Sequence, residues 1–109
     1  RAMIGGCSNS TRGLFFGGFT PSVTDVIDFI TIATTGNATD FGDTTVARSR
    51  NFAASSPTRA ISGGGSTPSG SINTVDFVEI LTTGNALDFG DLVGDSTGGA
   101  ACSSGHGGL

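Results

Sequence analysis

Residues 12–43 read RGLFFGGFTPSVTDVIDFITIATTGNATDFGD, and residues 59–91 read RAISGGGSTPSGSINTVDFVEILTTGNALDFGD. They are two copies of one unit. Arg12 matches Arg59 and Pro21 matches Pro68, both 47 positions apart. After one inserted residue, Asp28 matches Asp76 and the Thr-Thr-Gly-Asn-Ala run at 34–38 matches 82–86, now 48 apart. Around these copies a third begins and stops: AACSSGHGG at 100–108 aligns with FAASSPTRA at 52–60 and GGCSNSTRG at 5–13. A fixed period of this length marks a stacked or radial array of supersecondary units.

Each unit divides at its glycines and prolines into four short strands. The first unit predicts strands at 3–8, 12–16, 26–33 and 38–43; the second at 51–55, 59–63, 74–81 and 86–91. In the longest strand, Ile27, Phe29 and Thr31 share one face, and Asp28, Ile30 and Ile32 the other. Val75, Phe77 and Glu79 repeat the first face; Asp76, Val78 and Ile80 repeat the second. Both faces are apolar, which fits sheets covered on both sides. β-Branched residues and glycines interrupt every window long enough for a helix. The expected fold is all-β, built from four-stranded antiparallel units of about 47–48 residues. We divide the chain into unit 1 at 1–47, unit 2 at 48–94, and a truncated third unit at 95–109. That third unit carries an edge-adding strand near 98–103 and a tail.

The composition agrees. The chain has 109 residues with 19 Gly, no Trp, Tyr or Lys, and 13% charged residues, about half the usual quarter. Low charge argues against a disordered solvating segment. The net charge is −4 and the five arginines are scattered singly, so no basic stripe offers a nucleic-acid groove. No apolar run approaches the ~18 residues of a membrane helix, and the opening Arg1-Ala2-Met3 has no signal-peptide pattern. The chain starts inside a unit and without an initiating Met. We read it as the carboxy-terminal part of a longer protein or a processed product.

Two resemblances follow from these residues. An Arg-led strand ended by a double glycine, Gly17-Gly18 and again Gly64-Gly65, resembles the second strand of a kelch-like β-propeller blade. Residues 26–33 and 74–81 then correspond to third strands. The kelch Tyr and Trp are missing, and Phe41 and Phe89 stand where the Trp would be. The runs TRGLFFGGFTPS and VIDFITIATTGNATDFGD, with the ending SSGHGGL, resemble repeats in tail-appendage and other structural proteins of tailed phages from aquatic bacteria. This implies a virion or extracellular location and a host-attachment role, with a stacked β-repeat fibre as the alternative architecture.

Several residues invite a chemical role. Asp40/Asp43 and Asp88/Asp91 recur at what reads as one turn, where Asp bonds its own backbone; calcium ligation and acid–base catalysis are the alternatives. Asp28 and Asp76 sit mid-strand among apolar neighbours and need partners. The recurring Arg12 and Arg59 on the preceding strands are the available partners, so each unit is expected to hold an Arg–Asp or Asp–backbone latch between its strands. Cys7 and Cys102 occupy a slot filled by Ala54 in unit 2. They read as small buried thiols, or as an intrachain or intersubunit bridge. His106 is the sole histidine. Asn9 and Asn37 match the glycosylation pattern.

No catalytic, cofactor-binding or metal-ligating residue is assigned. The expected protein is a non-enzymatic, self-associating structural repeat, with loops 19–25 and 66–73 exposed for attachment. Three copies would supply six blades. A glycan-binding propeller lectin is the alternative, with a host-surface glycan as its partner.

Overall fold

A computed structural model describes residues 1–103, and it is all-β, with nine strands among those residues. Strands β1 (Gly5–Ser8), β2 (Arg12–Phe16), β3 (Thr24–Thr31) and β4 (Thr39–Arg48) form a four-stranded antiparallel meander. Strands β5 (Phe52–Ser55), β6 (Arg59–Gly63), β8 (Gly70–Glu79) and β9 (Leu87–Ser96) repeat it. The two-residue β7 (Ser66–Thr67) pairs with the start of β8 as a fifth strand. The second strands match the expected 12–16 and 59–63 to the residue. The fourth strands run five residues further than expected, because past Asp43 and Asp91 the chain makes an irregular excursion and rejoins the ladder at Arg48 opposite Thr24 and at Ser96 opposite Ile72. The expected loop 66–73 is corrected to a tight hairpin between β7 and β8, closed by hydrogen bonds of the Thr67 hydroxyl to Gly70 O and Ser69 N. Residues 98–103 form no strand.

Register explains which side chains meet. Leu14 lies opposite Phe29 and Phe16 opposite Ile27, so all four share one face of sheet 1. That face meets Ala60, Val78, Ile80 and Ala86 of sheet 2, and together with Phe41 they form the buried core. Removing a Leu, Ile or Phe side chain from water contributes about 1.5–3 kcal/mol. In β4 and β9 the register slips by one residue at Phe41 and at Phe89, a bulge in each copy. The bulge turns Phe41 inward without exposing its neighbours to the core.

The copies also trade volume within a pair. Gly5 faces Phe16 in sheet 1, whereas Phe52 faces Gly63 in sheet 2, and a Cβ on Gly63 would run into the Phe52 ring. One large and one small residue fill each site.

Gly42 follows the bulge with φ 154°, and a Cβ there would collide with the Gly84 carbonyl across the joint between sheets. Gly90, its counterpart, has the same φ of 154° and open space beside it. The backbone strain of a side chain is therefore equal at the two positions, and only the collision differs. Gly42→Ala is expected to lose about 1–3 kcal/mol more stability than Gly90→Ala, the usual cost of overpacking. Urea denaturation of the two variants measures it, and equal losses would contradict the joint.

Candidate functional site

The most elaborate arrangement is a buried ion pair between the two sheets. Arg48 closes β4, and its guanidinium reaches Asp76 on β8 at 2.6 Å with both side chains 0% exposed. Arg48 also donates to the carbonyls of Thr74 at 3.0 Å, Gly64 at 3.2 Å and Val46 at 3.3 Å. The Asp76 carboxylate accepts the Thr45 amide at 2.9 Å and the Thr45 hydroxyl at 2.6 Å. Burial pulls the Arg48 pKa down, and the Asp76 charge opposes that. Desolvating two ions costs several kcal/mol each unless the remaining donors and acceptors are matched, and here they are.

The sequence predicted an arginine for each mid-strand carboxylate but chose the wrong one. Arg12 stands opposite Thr31, on the face of Phe29, whereas Asp28 points to the other face. Arg12 therefore lies over the Phe29 ring at 4.4 Å and donates to Ile80 O at 2.9 Å across the joint. Arg59 repeats the stack over Phe77 at 4.6 Å and pairs with Glu79 at 3.0 Å on the surface. Asp28 is held instead by Arg1, which also donates to the carbonyls of Gly17 and Val26. Arg1, Gly17 and Val26 are the repeat counterparts of Arg48, Gly64 and Thr74. The latch recurs in both copies, and its arginine lies just before the unit's first strand. The 47-residue spacing of Arg1 and Arg48, equal to that of Arg12 and Arg59, was the available signal.

A second repeated device lies beside it. Met3, Arg50 and Gly98 are equivalent positions with φ of 58°, 59° and 65°. Arg50 N donates to Met3 O at 2.8 Å and Gly98 N to Arg50 O at 3.0 Å, a ladder running from unit to unit.

The remaining candidates resolve simply. Asp40 and Asp43 lie in β4, Asp88 and Asp91 in β9, all exposed; this agrees with the strands expected at 38–43 and 86–91 and sets aside the turn role for these aspartates. Among the described residues, no group of three or more His, Cys, Asp or Glu is placed to hold a metal ion. Asn9 accepts three bonds from Thr11 and Arg12, and its amide donates to Pro57 O at 2.8 Å, so a glycan there would break that contact. Asn37 is exposed. Asn51 donates to Ser62, while its Oδ1 is buried with no protein partner. His106 lies outside the described residues. Loops 19–25 and 66–73 meet around a cleft of about 490 Å³ lined by Phe19, Ser22, Arg50 and Thr67, among others.

Cys7 and Cys102 are both free thiols. Cys7 is half-buried, and burial pushes its pKa to about 11 against a weaker opposing hydrogen bond with Ser55. Cys102 is exposed, a correction to the reading of both as buried. Compared with known proteins, the chain matches no family model and no curated protein sequence.

Two outcomes follow. Arg48→Met should cost about 3–5 kcal/mol in urea denaturation by stranding a buried carboxylate, and the Arg48→Met/Asp76→Leu double variant less. Arg1→Met, at a partly solvated pair, should cost under about 1 kcal/mol. Equal losses at Arg48 and Arg1 would contradict the burial difference. With a neutral thiol reagent at pH 8, Cys102 should react quickly and Cys7 slowly, because only the thiolate attacks. The folded state favours the protonated Cys7. Its contribution to stability is therefore complete below pH 9, and it is lost as pH rises through about 11.

Proposed function

We propose that this chain is a non-enzymatic, self-associating structural protein, its units kelch-like propeller blades, serving in a phage tail appendage or other extracellular fibre. Its partner is itself, and its setting is the virion or the extracellular space. The observation carrying this reading is unequal burial at equivalent positions. Ile80 is 0% exposed and its counterpart Ile32 51%; Phe41 is 3% exposed and its counterpart Phe89 57%. At these two positions the same residue type is core where a neighbouring unit exists and exposed where none is described, as expected of repeats that cover one another.

The blade description draws support from the two equal meanders, the double glycines that end β2 and β6, and the closeness of β1 to β5. Sheets nearest at their first strands suit a radial array. Closure gives a ring and an open rotation gives a filament. The work of such an object is mechanical, and the polar loop 19–25 and the hairpin at 66–73 are available for attachment.

Phe89→Asp and Ile32→Asp should each abolish association in sedimentation velocity while leaving the single chain folded. Phe41→Ala, inside the chain's own core, should instead cost about 3–5 kcal/mol. Association unchanged in both Asp variants would contradict the reading.

One observation favours a glycan-binding role as a second reading: the cleft between loops 19–25 and 66–73 presents the half-exposed Phe19 ring beside Arg50 and several hydroxyls. A glycan array should then show selective binding that Phe19→Ala removes. No selective binding would retire this reading.

A further inference from the structure

The joint inside the chain is a template for a joint between chains. Leu14, Phe16, Ile27 and Phe41 of sheet 1 are covered by Ala60, Val78, Ile80 and Ala86 of sheet 2. The counterparts of the first four are Ile61, Gly63, Val75 and Phe89, on the outer face of sheet 2. The counterparts of the second four are Gly13, Ile30, Ile32 and Ala38, on the outer face of sheet 1. One outer face thus repeats the receiving half of the internal joint, and the other repeats the inserted half.

The polar rim repeats as well. Inside the chain, Gly84 N donates to Phe41 O and Ala86 N to Asp43 O, both at 2.8 Å, while Asn85 Oδ1 accepts the Asp43 amide at 3.0 Å. The matching groups are Gly36, Asn37 and Ala38 on one outer rim and Phe89 and Asp91 on the other. Among the described residues, β9 pairs only with β8. A Cβ at Gly90 meets nothing, whereas one at Gly42 would hit the Gly84 carbonyl.

We propose that the outer face of sheet 2 in one copy receives the outer face of sheet 1 in a second copy, head to tail, in the register of the internal joint. Asn37 of the incoming copy bonds the Asp91 amide of the receiving one, and Ile32 and Ala38 cover Phe89. This deepens the self-association reading and rests on it.

Charge at the latch is consistent with this docking. The position held by Arg1 and Arg48 is Ser96 at the end of β9, so the receiving copy offers no arginine to Asp28. None is needed, because Asp28 arrives with Arg1 already bound. A second arginine there would be an unpaired charge at the joint.

The tail must yield. Ser55 Oγ donates to Ser8 O at 2.6 Å in the internal joint. Cys102 and Ser103 line a cavity of about 230 Å³ with Ala54, Ser55, Ile61 and Phe89. That is the place an incoming Cys7 and Ser8 take, so residues 98–103 move aside on assembly.

The test uses the full chain in a Cys7→Ala/Cys102→Ser background. One preparation carries Asn37→Cys, another Asp91→Cys, and a short bis-maleimide is added to each alone and to their mixture. The joint predicts a gain of covalent dimer in the mixture over either chain alone, lost when the Asp91→Cys chain also carries Gly90→Ala. Sedimentation of the parent chain runs in parallel. Association without cross-linking in the mixture, or cross-linking of one variant with itself, overturns this joint and leaves self-association standing. A chain that never associates overturns both.

Discussion

A β-sheet with apolar side chains on both faces has to be covered twice, and everything distinctive here follows from that constraint. Sheet 1 covers one face of sheet 2 and sheet 2 covers one face of sheet 1, and among the described residues the two outer faces leave Ile32 and Phe89 exposed. Within the covered joint, Leu14, Ile27 and Ile80 are wholly excluded from water. On the outer faces Ile32, the counterpart of Ile80, and Phe89, the counterpart of the buried Phe41, are in contact with solvent. The asymmetry comes from position in the array, because the residues themselves are nearly the same.

Burial alone sets no register, and the polar groups of the joint do. Arg48 ends the last strand of sheet 1, and its guanidinium is satisfied by the Gly64 and Thr74 carbonyls and the Asp76 carboxylate of sheet 2 together with Val46 O of its own strand. Asp76 is satisfied by Thr45 and Arg48, both on β4 of sheet 1. A slip of one residue along either strand would strand two buried charges, a loss of several kcal/mol. The φ-positive ladder of Met3, Arg50 and Gly98 fixes the same spacing in the backbone. Hydrophobic cover supplies the attraction, and the latch supplies the alignment.

Much of this was legible in the sequence. The repeat gave the two meanders, and glycines and prolines placed β2 and β6 to the residue. Alternation along β3 and β8 showed that both faces are apolar. It did not show which arginine meets which carboxylate, since that depends on the face each side chain takes once the strands are in register. Arg12 and Asp28 are near in the unit yet on opposite sides of the sheet. Asp40 and Asp88 read as turn residues because they follow the Gly-Asn turns at 36–37 and 84–85, and the bulge beside them at Phe41 and Phe89 was not visible. A bulge depends on the partner strand, which the chain's own pattern does not display. Likewise 66–73 resembles an open loop by composition, and only the Thr67 hydroxyl bonds reveal the hairpin.

Small-angle X-ray scattering across a concentration series tests the central claim most directly. A single chain has a Cα radius of gyration of 12.9 Å. If the bare faces find one another, the measured radius rises well above that value with concentration and falls back on dilution. A radius that stays near that of one chain up to the solubility limit would contradict the account.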